Sequence, residues 1–173
     1  VGPLPLGQVS VDVGELMAGL EAEFARQTRA RAVQAKDGSA VLVHVAERGG
    51  RGAAQHAEES MRELRELART AGVEVTEVVI QLRDRVDPKF VLGKGKLEDV
   101  IVRAMQRGAD VLVFDRELTP AQISAIAKES DLKVIDRTQL ILDIFAQRAE
   151  SKDGKLQVEL AQLKYNMPRL AQK

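Results

Sequence analysis

Residues 110–136 read DVLVFDRELTPAQISAIAKESDLKVID, and their order of patterns decides the fold. DVLVFD at 110–115 is a short apolar run of strand length. Thr119, Pro120 and Gln122 then supply an N-cap, a first-turn proline and a capping-box partner for a helix. LKVID at 132–136 closes the stretch as a further strand. A helix between two strands brings the second strand back parallel to the first, because an antiparallel pair needs a tight turn at that place.

The same alternation extends upstream. AVLVHVA at 40–46 is β-branched and bounded by turn residues, and VEVTEVVIQL at 73–82 is a second such run. Between them Met61, Leu64, Leu67, Ala68 and Ala71 recur at helical spacing, and Leu97, Val100, Ile101, Ala104 and Met105 do so before residue 110. Four strands alternating with helices predict an α/β fold: a small four-stranded parallel sheet over residues 40–150 with helices on both faces.

Downstream, Thr138–Arg148 reads as a helix with Leu140, Ile141, Ile144 and Phe145 on one side, predicted to pack on the sheet. AESKDGK at 149–155 reads as a charged hinge. Leu156, Leu160, Leu163, Met167 and Leu170 then recur at intervals of four and three, the seam of a coiled-coil hairpin. Residues 151–173 are therefore expected to form a protruding amphipathic helix, the first arm of a helical hairpin, bent or ended near Met167 by Pro168. A seam needs a partner, which predicts either a longer parent polypeptide or a dimer through Leu156, Leu160 and Leu163. Residues 1–39 read as an N-terminal extension with a helix over Asp12–Ala32, capped by Asp12 and Glu15, and a turn at AKDGS, 35–39.

Composition narrows the function classes. The 173 residues are 45% apolar, and a domain of about 130 residues buries roughly two thirds of its unfolded surface, so no metal or disulfide is needed. There is no cysteine, hence no thiolate nucleophile. His44 and His56 lack metal-ligand spacing and read as structural, so no metal site is predicted. No apolar run of about 18 residues suggests a membrane span, and the expected location is the cytoplasm. Basic and acidic residues balance at 26 each, so attraction to nucleic acid must come from local patches.

Two such patches stand out. The loop 85–96 carries Lys89, Gly93, Lys94, Gly95 and Lys96 ahead of a helix start, where glycine amides and a helix N-terminus favour an anion. GKGK is too short for a phosphate loop, so three readings stay open: a glycine turn with solvated lysines, contact with ribosomal RNA, and nucleotide binding. Along the arm, Lys152, Lys155, Lys164 and Arg169 belong to a segment with six basic residues against three acidic ones over 148–173. Asp115 and Asp136 end two strands at the edge where parallel sheets bind ligands. Capping explains Asp136 and local pairing with Arg116 explains Asp115, so no catalytic residue is assigned.

DPKFVLGKGKLEDV at 87–100, FDRELTPAQ at 114–122 and DRTQLILDIFAQRAESKDGKLQVELAQLKYNMPRL at 136–170 together resemble the HflX family of ribosome-associated GTPases. The resemblance covers roughly 41–170 and corresponds to that family's N-terminal domain plus the first hairpin arm. It implies a parent GTPase that binds GTP and Mg in a separate downstream domain. No G-x-x-x-x-G-K-[ST] string occurs in the present sequence. This segment is then expected to have no GTPase activity and no cofactor of its own. The resemblance further implies binding to the large ribosomal subunit and its rRNA, ribosome splitting or rescue under stress, and contact with the chain's own GTPase domain.

Overall fold

The run at 40–43 is apolar at every position, and the fold uses both of its sides. In the computed structural model, which describes Gly14, Met17, Ala18 and residues 38–170, β1 (Ser39–Glu47) lies inside a four-stranded sheet. The elements after it are α1 (Ala53–Thr70), β2 (Glu74–Arg83), α2 (Lys94–Gln106), β3 (Val111–Phe114), α3 (Pro120–Glu129), β4 (Lys133–Asp136), α4 (Arg137–Arg148) and α5 (Lys152–Leu170). Strand order is β2-β1-β3-β4, and every pairing is parallel.

Successive β1 side chains alternate between two cores. Ala40 and Leu42 meet Met61, Leu64 and Ala68 of α1 and Leu140 and Ile144 of α4. Val41, Val43 and Val45 meet Leu97, Val100, Ile101 and Ala104 of α2 and Ile126 of α3. Helices thus cover both faces, as the βα alternation predicts. The two predicted caps that fall among the described residues form as capping boxes, Thr119 with Gln122 and Asp136 with Gln139, each with side chain and backbone bonded reciprocally; the Asp12–Glu15 pair lies outside the described residues.

The C-terminal third differs from expectation in three ways. First, α4 does not give its whole apolar side to the sheet. Leu140 and Ile144 do, whereas Phe145 and Ile141 join Ala149 and Val158, and Leu142 joins Ala161 and Tyr165. Apolar residues at 140, 141, 142, 144 and 145 span too wide an arc for one surface, so α4 is sandwiched between sheet and α5. Second, the hinge is only residues 149–151: α5 starts at Lys152, and the Ser151 Oγ accepts a hydrogen bond from the Gly154 N–H at 3.0 Å. Third, α5 runs through Pro168 to Leu170, because a proline this near the end removes one bond from a turn that Arg169 also holds.

The arm has two apolar rows, of which the seam is the outer one. Val158, Ala161 and Tyr165 are buried against α4, and the small Ala161 lets the helices approach. Leu156, Leu163 and Met167 remain 62%, 54% and 55% exposed, and Leu160 is half-buried. The expected helix over Asp12–Ala32 falls outside the described residues except for Gly14, Met17 and Ala18, which are helical. Met17 packs on the cluster of Phe145, Ala149 and Val158. Among the described residues no helix is long and apolar enough to cross a membrane.

Candidate nucleic-acid interface

All four strands run the same way, so the loops after β1 and β2 and the start of α2 gather at one edge of the sheet. Arg48 and Arg51 follow β1, while Arg83, Arg85 and Lys89 end or follow β2 and Lys94 and Lys96 open α2. Across 47–52 and 83–96 these seven cations face three carboxylates, Glu47, Asp84 and Asp87. Two of the three are engaged by main chain. Glu47 accepts from the Val86 N–H at 3.4 Å, and Asp87 accepts from the N–H groups of Phe90 and Lys89 at 2.7 and 2.8 Å. The Phe90 bond, helped by that of Lys89 and by the charges of Arg83 and Lys89, outweighs burial and holds the Asp87 carboxyl below its ordinary value. Asp84 lies 3.9 Å from Arg48, with both side chains largely exposed. A net positive edge results, able to neutralise phosphates in a salt-dependent way.

The glycines of the predicted loop do not make the turn. Gly93 has φ −60° as the α2 N-cap, and Gly95 lies inside the first turn of α2. The left-handed residue is Val91, at φ 67°, an unfavourable place for a β-branched side chain. It is held there by reciprocal main-chain bonds with Asp87, 3.1 and 3.0 Å, and by complete burial of its side chain in the core. Gly93 serves a close approach instead. A Cβ there would lie 2.2 Å from Arg83 Nη1, while Arg83 Nε donates to the Arg85 carbonyl at 3.1 Å and the Gly93 N–H donates to Gln81 Oε1 at 3.3 Å.

The predicted lysines and arginine fall into two groups. Lys89, with its Nζ 4.9 Å from the Phe90 ring centroid, belongs to the β2 edge with exposed Lys94 and with Lys96, whose Nζ is 3.7 Å from Asp99. Lys152, Lys155, Lys164 and Arg169 lie on α5, which packs on α3 and α4 beyond β4. β2 and β4 are the opposite edges of the sheet, so the two groups attach to different ends of the strand order. Lys152 and Lys155 are exposed, but Arg169 turns inward. Its guanidinium donates to the carbonyls of Tyr165 and Leu118 at 2.7 and 2.6 Å and stacks 3.5 Å over the Tyr165 ring. Arg48, Arg51 and Arg83 complete the edge and were missed by periodicity; the glycine-rich ERGGRG at 47–52, following the first strand, is the signal that marks two of them.

Behind this edge lie two buried carboxylates. Asp115, fully buried at the end of β3, does not pair with Arg116. It accepts from Ser60 Oγ of α1 at 2.5 Å and from Arg137 Nη1 of α4 at 3.1 Å, and its other partner is His44 Nδ1 of β1 at 2.8 Å. Burial alone would push the Asp115 carboxyl up; the bonds from His44 and Ser60 and the charges of Arg137 and His44 outweigh it and hold the carboxyl below its ordinary value. Arg137 also bonds Glu63 at 2.9 Å. Asp136 caps α4, accepts from the Leu118 N–H at 3.0 Å, and accepts from the Tyr165 hydroxyl. Burial, together with that bond and the Asp136 charge, pushes the Tyr165 hydroxyl far above its ordinary value. Both carboxylates are saturated by internal partners, so they lock α1, α4 and α5 to the sheet. Among the described residues no cluster of three or more His, Asp or Glu could hold a metal ion.

A four-stranded parallel sheet with a basic carboxyl edge and a docked amphipathic helix defines a small α/β module. Residues 58–146 match the family described as GTP-binding GTPase N-terminal, and 148–173 match the GTP-binding GTPase middle region. The chain belongs to the HflX family of GTP-binding GTPases. It is similar to GTPase HflX of Caldanaerobacter subterraneus subsp. tengcongensis, with 49% identity over 65% of this chain and 26% of that protein. To GTPase HflX of Escherichia coli it is 45% identical, over 65% of this chain and again 26% of the relative. Among solved structures, a GTP-binding protein from Sulfolobus solfataricus in complex with GDP superposes with TM-score 0.59 at 27% identity, over 77% of this chain and 38% of that one. The chain thus spans about a quarter of the length of the relatives it matches.

Proposed function

We propose that this chain is the ribosome-contacting, regulatory N-terminal module of an HflX-type GTPase that splits or rescues ribosomes in the cytoplasm under stress. In this reading the basic carboxyl edge, from Arg48 and Arg51 to Lys89, Lys94 and Lys96, meets phosphates of large-subunit rRNA, and Lys152 and Lys155 of α5 add a second point of contact. The observation that supports it most is the edge itself: seven cations on adjacent loops, with two of the three nearby carboxylates engaged by main-chain N–H groups. GTP and Mg act elsewhere in the parent protein, because this sequence contains no phosphate-loop string to hold them. The module itself hydrolyses nothing.

Co-sedimentation of the chain with large ribosomal subunits at low salt tests the proposal. Binding should weaken steeply as salt rises, and combined Arg48→Glu, Arg51→Glu and Lys94→Glu substitutions should abolish it. Failure of the unmodified chain to sediment with the subunits at low salt removes the reading. A second role is favoured by the outward row Leu156, Leu163 and Met167: intramolecular packing that restrains the GTPase domain, with a second copy of the chain as the competing occupant. Equal GTP hydrolysis by the full-length protein with and without residues 1–150 excludes restraint.

A further inference from the structure

β4 is an edge strand, and its free side opens into a cavity of about 650 Å³ between α3, α4 and α5. The phase of its hydrogen bonds is fixed by the Lys133 N–H, which donates to the Asp110 carbonyl at 3.2 Å, in register with Val111 opposite Lys133. In a parallel ladder alternate residues bond to the neighbouring strand, so Lys133 and Ile135 face β3. The main-chain N–H and C=O of Val134 therefore point away from the sheet, and Val134 lines the cavity. An adjacent donor and acceptor on a rigid strand match the hydrogen-bonding edge of a planar heterocycle.

The walls fit the same shape. Ile123, Leu132 and Leu142 provide apolar surface. Across from them, Asn166 Oδ1 accepts from Gln139 Nε2 at 2.9 Å and Gln162 Nε2 donates to Asp143 Oδ1 at 3.3 Å. These bonds leave the Asn166 amide nitrogen and the Gln162 carbonyl oxygen for a ligand. Lys128 and Lys133 stand exposed at the rim, one at the end of α3 and the other at the start of β4. They offer two separate point charges and no main-chain cradle, an arrangement suited to successive phosphates of a strand and not to a clustered triphosphate.

We propose that this cavity receives one unstacked base of single-stranded RNA, its polar edge read by Val134 and the amides of α5, and its flanking phosphates met by Lys128 and Lys133. The inference rests on the RNA-contact reading above and adds a base-sized subsite on the side of the sheet away from β2. The test uses amide NMR spectra of the whole 173-residue chain, titrated with an eight-nucleotide single-stranded RNA and, separately, with AMP and UMP. With the oligonucleotide the Val134 amide signal should shift along with that of Lys94. Ala127→Phe, at an exposed position lining the cavity, should weaken oligonucleotide affinity roughly tenfold and abolish the Val134 shift while the Lys94 shift persists. Val134→Pro removes the outward N–H together with the side chain's core packing and, where circular dichroism shows the fold retained, should also weaken oligonucleotide binding. RNA binding with an unmoved Val134 amide and unchanged affinity in both variants overturns the base site yet leaves the basic edge intact. Absence of any RNA binding overturns both, and mononucleotides binding as tightly as the oligonucleotide overturn the assignment to RNA.

Discussion

Replacing Asp115 by alanine should destabilise the chain more than any single change at its surface. The carboxylate is fully buried and serves His44, Ser60 and Arg137 at 2.8, 2.5 and 3.1 Å. Removing one partner of a buried ion pair costs about 3–5 kcal/mol when the other charge is left alone. Here Arg137 is about one third exposed and keeps Glu63 at 2.9 Å, so the cost falls to the bottom of that range or just below it, and a loss of about 2–3 kcal/mol is expected. Asp115→Asn keeps the shape and one acceptor and should cost about 1–2 kcal/mol. Urea unfolding followed by far-ultraviolet circular dichroism at pH 7 measures both. The pH dependence follows from the depressed carboxyl: with the folded value below the unfolded one, its contribution is present above the unfolded pKa and lost as pH falls through the folded one. The alanine variant should therefore lose less stability than the parent on acidification. A loss below about 0.5 kcal/mol at neutral pH would show that the cluster is incidental to stability.

Tyr165→Phe should cost about 1–2 kcal/mol, since it leaves buried Asp136 without the hydroxyl and unfastens the outer half of α5; faster amide exchange confined to α5 would confirm the location. Leu156→Glu with Leu163→Glu should change the melting of the chain little, because both side chains are mostly exposed, and a fall in Tm as large as that of Tyr165→Phe would mean that the outer row is already covered.

Much of the architecture is written locally. The strand runs at 40–46 and 110–115, the helical spacing of Met61, Leu64 and Ala68, and the capping pairs Thr119–Gln122 and Asp136–Gln139 each depend on neighbours a few residues away. Parallel order then follows from the helices between the strands. The basic loop at 89–96 was legible in the same way, since charge and composition are properties of a segment.

Partnerships across long separations were not. Asp115 reads as a neighbour of Arg116, yet its partners come from 71, 55 and 22 residues away. Arg169 reads as a cation on an exposed arm, yet its guanidinium is folded onto Tyr165 and the Leu118 carbonyl. The glycines at 93 and 95 suggest a turn, but tertiary burial forces Val91 into the left-handed conformation and leaves Gly93 to admit Arg83. Periodicity found the outer row of α5 and missed the inner one, because a seam of leucines is conspicuous and the set Val158, Ala161 and Tyr165 is not. Local hydrogen bonding and hydrophobic spacing act over one or two turns of chain, so sequence alone determined the elements and their parallel order. Which buried charge meets which cation, and which face of the last helix is covered, depends on the packing of α1, α4 and α5 around one sheet, and only the tertiary structure decided it.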